Sequence, residues 1–141
     1  MAVLTRLLLA VAVLAIVASC DLIESRLAGP PVPADERVDD RFPDVLAAEL
    51  RPRDDGRYDL AVTISSPYDT PARFADGWRV LDPAGNELGT HQLLHDHASE
   101  QPFTRTMRGL HIPAGVDRIT VEGRDLQNGY GGTTVSLEVP T

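Results

Sequence analysis

All four histidines of the chain fall between residues 91 and 111, in HQLLHDHASEQPFTRTMRGLH. The pair His95 and His97 has a definite chemistry to offer. On an extended strand, side chains two residues apart share a face about 6.6 Å apart, near enough for two neutral imidazoles to reach one metal ion. If the strand through residues 87–94 runs on, His91, Leu93, His95 and His97 all project to one side. A third ligand would then come from His111, Asp96 or Glu100, and imidazole combined with carboxylate suits Zn(II) or Cu(II). The competing reading gives the same residues a structural task, with His95 and His97 bonding loop backbone and covering Leu93 and Leu94. No HExxH, no CxxC and no third histidine at fixed spacing stands behind this His-x-His, so the structural reading is the preferred one. Ser99, near His95 and His97 with Asp96 adjacent, lacks a nucleophile-elbow pattern, and sequence neighbours rarely form a catalytic triad. The expectation is therefore a protein that is not an enzyme and carries no catalytic residue. It needs no dissociable cofactor, with a Zn or Cu site at His95, His97, His111 and Glu100 as the alternative.

Charge and composition exclude other classes. The chain has 13 basic and 21 acidic residues, net −8, which argues against nucleic-acid backbones and anionic lipid surfaces as electrostatic partners. Every basic residue is Arg. Without lysine there is neither a P-loop lysine nor a Schiff-base lysine. The single cysteine, Cys20, rules out an internal disulfide and a Cys-rich metal site.

The position of Cys20 suggests another use. Residues 1–6 carry one positive charge, residues 7–17 (LLLAVAVLAIV) are unbroken apolar, and Ala18-Ser19-Cys20 follows. This is the pattern of a secretory signal, too short to span a hydrocarbon core of about 30 Å. Val17-Ala18-Ser19-Cys20 closely resembles the bacterial lipobox. That resemblance implies lipidation of Cys20, including a diacylglyceryl group on its sulfur, and loss of residues 1–19 as a signal peptide. It also implies a membrane anchor at the cell envelope, facing the periplasm. Asp21 resembles the enteric signal for inner-membrane retention, a rule that does not transfer safely between bacteria, and the choice of inner or outer membrane stays open.

Residues 20–43 read as a lipid-anchored tether. They are rich in charge and proline, with Pro30, Pro31 and Pro33 stiffening the middle, and too poor in apolar residues to supply a core face. From residue 44 to 141 the pattern becomes short alternating segments separated by turn residues, the period of half-buried strands. Strands are predicted over 44–51, 57–66, 75–82, 87–94, 103–112, 116–125 and 133–139. Leu46, Ala48 and Leu50 would point inward on the first, although DVLAAEL also has helical propensity. The core would be Leu60, Val62, Ile64, Trp78, Val80, Ile119, Val121, Val135 and Leu137, and a bulge is expected near Gly109.

Seven evenly spaced strands with one Trp on the third predict an all-β, antiparallel Ig-like β-sandwich. The hairpin Ile119–Asp125, the loop around Gly129-Tyr130-Gly131-Gly132 and the returning Val135-Ser136-Leu137 resemble the end of a fibronectin type III or related Ig-like domain. The resemblance implies a fold and no activity. Tyr130 is the candidate binding-loop aromatic, with cover for one end of the sandwich as its alternative role. The segment from Leu93 to Arg105 is also similar to part of small exported bacterial proteins without assigned activity. The expected function is a lipid-anchored envelope module that binds another envelope protein or serves structurally, with periplasmic Zn or Cu binding as the alternative.

Overall fold

The computed structural model describes residues 40–140. The expected signal peptide, Cys20 and the tether ahead of Asp40 lie outside the described residues, none of whose helices is long and apolar enough to cross a membrane. Eight strands follow in order: β1 (Asp44–Pro52), β2 (Tyr58–Ser65), β3 (Ala75–Leu81), β4 (Glu87–Gln92), β5 (Phe103–Leu110), β6 (Arg118–Asp125), β7 (Gly129–Tyr130) and β8 (Val135–Glu138). They form the expected antiparallel β-sandwich. One sheet has the order β1-β2-β5, the other β4-β3-β6-β7, with β8 also paired to β6.

Alternation builds the core. Leu60, Val62 and Ile64 of β2 face Trp78 and Val80 of β3 and Ile119 and Val121 of β6, all fully buried or nearly so. Each such side chain contributes about 1.5–3 kcal/mol by leaving water. Phe103, Met107 and Leu110 of β5 complete the layer, and Val135 and Leu137 pack against it partly buried.

The first and last strands depart from simple alternation. In β1 a register shift between Val45 and Ala47 adds one residue, so Val45 points into the core while Leu46, expected inward, is 52% exposed. A bulge re-aims every side chain that precedes it. Ala48 and Leu50, beyond it, pack on the core as expected. The expected bulge near Gly109 is present. There φ is +71°, and the spare residue lets the Gly109 N–H reach the Asp59 carboxylate at 3.0 Å. The strand expected over 133–139 is β8, shortened to Val135–Glu138, and the loop before it contains the short strand β7; both pair with the same edge of β6. Phe42 and Pro43 occupy the gap. A Cβ on Gly131 would stand 2.6 Å from the Phe42 ring, and one on Gly132 2.2 Å from the Pro43 carbonyl oxygen, so only glycine admits this approach. Among the described residues, Phe42 and a fully buried Pro43 already pack on the sandwich ahead of residue 44.

Candidate functional site

The histidine stretch divides between a strand and a loop. β4, expected over 87–94, ends at Gln92, so the continuation through His97 that a ligand pair would require does not form. His91 remains on β4, opposite Trp78 in register, and its ring stacks on the indole at 4.2 Å. Burial lowers its pKa from the ordinary histidine value. Leu93 turns inward, held by its N–H on the Asp76 carbonyl, whereas Leu94, expected beneath the histidines, is 80% exposed.

His97 is 3% exposed, its ring stacked at 4.0 Å on Phe103 and 4.7 Å from the exposed ring of His95. Its Nδ1 has no hydrogen-bond partner among the described residues. Burial, reinforced by the Arg105 and His95 charges, lowers its pKa. The His95 Nδ1 instead lies 2.8 Å from the Asp96 carbonyl oxygen, a loop-backbone contact of the kind the structural reading expects. Glu100 is taken by Arg105 at 2.9 Å. His111 follows the far end of β5, and eight residues at about 3.3 Å each carry it about 25 Å from Phe103. No group of three His, Cys, Asp or Glu among the described residues is placed to hold a metal ion. His95, His97, Glu100 and His111 are therefore not gathered into one site.

Two buried carboxylates that sequence reasoning passed over organise this end of the sandwich. Asp69 accepts from the Ala75 N–H at 3.0 Å and from the His97 N–H at 2.9 Å, fastening the loop after β4 to the start of β3. Asp125, fully buried, accepts from the N–H groups of Gln127 and Asn128, from the Asn128 amide, and from Arg73 at 3.1 Å. Burial pushes its pKa up, but these donors outweigh burial and hold it below the usual aspartate value. Arg73 also lies 4.1 Å over the Tyr68 ring and donates to the Asp40 carbonyl. Tyr68 itself is pushed up from the ordinary phenol value, first by burial and then by the Asp125 charge. A period-two pattern marks Asp69 only as a loop residue and Asp125 only as a polar residue at a strand end.

Tyr130 sits on β7, half-buried, with the Arg79 guanidinium 4.0 Å over its ring and Arg124 at 5.8 Å. Arg79 pairs with Glu122 at 2.7 Å, and Arg124 pairs with Asp76. Beside this ladder lies a hollow of about 200 Å³, lined by Asp76, Gly77, Trp78, Thr90, His91, Gln92, Arg124 and Tyr130. Asp76 is the extra residue of a register shift between Ala75 and Gly77, and it is only 6% exposed. Its Oδ1 and the Trp78 Nε1 are buried without a hydrogen-bond partner among the described residues.

Over 101 residues the chain is 33% identical to a protein of Halomicrobium mukohataei named "Putative lipoprotein". The similarity covers 72% of this chain and 49% of that protein, so the chain spans about half the length of the relative it matches. No protein-family model matches the chain, and no solved structure does.

Proposed function

We propose that the chain is a lipoprotein: a β-sandwich anchored at the cell envelope through lipid on Cys20, acting as a binding or structural module without catalysis. The similarity to the Halomicrobium mukohataei protein carries this reading, because that name and the Val17-Ala18-Ser19-Cys20 junction point to the same anchor. Several acyl chains on one cysteine meet the requirement that stable membrane attachment takes more than one chain. The sandwich itself is best read as the fibronectin type III kind. Its fourth strand joins the third in the second sheet, whereas in constant-type immunoglobulin domains it joins the first two. Metabolic labelling with a palmitate analogue tests the anchor. The expected outcome is labelled wild type and unlabelled Cys20→Ser; an unlabelled wild type, or label that survives the substitution, overturns it.

A further inference from the structure

We propose that the hollow beside Tyr130 is a binding site for an uncharged, hydroxyl-rich ligand the size of one sugar residue. The inference does not depend on the lipid anchor. It starts from one unpaired atom. Buried polar groups are nearly always hydrogen-bonded, and Asp76 Oδ1, on a side chain only 6% exposed that lines the hollow, lacks a partner among the described residues. A hydroxyl group can donate to that acceptor and accept in turn from the Arg124 guanidinium.

Charge narrows the class further. Asp76 is paired with Arg124, and the neighbouring Arg79 with Glu122, so the walls carry both signs in balance. An anion entering the hollow meets Asp76, and a cation meets Arg124. Neither gains what a neutral ligand gains from hydrogen bonds to both. Thr90 and Gln92 add side chains that each donate and accept, from the β4 side. Tyr130 contributes an aromatic surface against which the C–H face of a sugar ring can lie. Arg124 keeps 40% of its side chain in solvent, so it can turn outward, admitting a hydroxyl to Asp76 and uncovering the Tyr130 ring.

The test uses the full chain in a detergent without a sugar headgroup, with emission from Trp78, the sole tryptophan, as the signal. The probes are the methyl glycosides of glucose, mannose, galactose and N-acetylglucosamine, with inorganic phosphate and arginine amide as charged counter-probes. At least one glycoside should give a saturable change, and neither charged probe should. Thr90→Arg, placed on an exposed strand position lining the hollow, should abolish the response. Tyr130→Ala should weaken it about tenfold, roughly the effect of losing one good contact. Thermal melts establish that each variant is folded, and Thr90→Arg keeps the test open if Tyr130→Ala is not. No response to any glycoside, binding of a charged probe instead, or glycoside binding that survives Thr90→Arg overturns the proposal.

Discussion

Asp82 and Asp125 turn the chain in nearly the same way, at opposite ends of the sandwich. Asp82 accepts from the N–H groups of Ala84 and Asn86 and from the Asn86 amide; Asp125 accepts from those of Gln127 and Asn128 and from the Asn128 amide. The local chemistry is shared, but the surroundings are not. Asp82 lies at the surface of a tight turn between β3 and β4. Asp125 is fully buried and reaches 52 residues back to Arg73, which in turn holds the entering chain at Asp40. One turn closes itself. The other joins the β2–β3 loop, the last hairpin and the chain entry.

The sharpest way to break this comparison is to remove both carboxylates. Asp125→Ala strands several donors and leaves Arg73 facing a site without its counter-charge, so it should cost about 3–5 kcal/mol. Asp82→Ala exposes its donors to water, which satisfies them, and the denaturation midpoint should barely move. Equal losses in urea melts would show that the buried network adds nothing to the local turn.

Apolar residues carry the same lesson. Ile64→Ala, at a fully buried position of β2, should cost about 2–5 kcal/mol. Leu46→Ala on the adjacent strand should cost little, because the bulge after Val45 points Leu46 outward. A comparable loss at Leu46 would mean that β1 pairs in the uninterrupted register.

These contrasts mark what the sequence makes legible. Strand positions could be read because alternation and turn residues are local signals: Tyr58 to Ser65, Asp82-Pro83-Ala84-Gly85-Asn86 and Gly109 all behave as their neighbours dictate. The inward set of β2, β3 and β6 followed from period two alone. Leu46 could not be read, since an inserted residue leaves the composition of a strand unchanged while reversing its faces. The burial of Asp69 and Asp125 could not be read either, because the partners that tie them into the fold, His97 and Arg73, lie 28 and 52 residues away. The histidines fall between these cases. The spacing of His95 and His97 is real, but it becomes a ligand pair only on a continuing strand, and β4 stops at Gln92. Tyr130 was singled out for its glycine neighbours, whereas its setting comes from Arg79, Arg124 and Asp76 on other strands.

Acid should act on the end of the sandwich that carries the buried aspartates. His91 and His97 both have pKa values below the ordinary 6.5, so near that pH the unfolded chain takes up protons that the folded one resists. The unfolded state then binds more protons, and stability falls as pH drops below about 6.5. His97 is charged only against the Arg105 and His95 charges, with Glu100 and Asp69 opposing them in part. Urea melts at pH 7.5 and 5.5 should show a loss on acidification, and His97→Gln should reduce that loss. An unchanged pH dependence in the variant would assign the effect to His91 or elsewhere. Asp125 contributes in a lower window, because its depressed pKa gives stability that is lost only as pH falls below the usual aspartate range.

The smallest expected effect is that of metal, and it separates a spaced pair from an assembled site. His97 is buried against Phe103, Glu100 is held by Arg105, and His111 lies at the other end of β5, so three ligands do not converge. A site of micromolar affinity would stabilise the fold by about 2.7 kcal/mol at a metal concentration one hundred times its Kd. Such a shift is easily measured. Adding Zn(II) or Cu(II) to metal-free protein at pH 7.5 should instead leave the melting midpoint within error. The histidine substitutions should divide by burial, with His97→Ala destabilising and His95→Ala nearly neutral, whether or not metal is present. A stabilisation by either ion that disappears in the double alanine variant would restore the pair as ligands. It would also require the loop after Gln92 to rearrange, because the His97 ring would have to leave Phe103 to share an ion with His95.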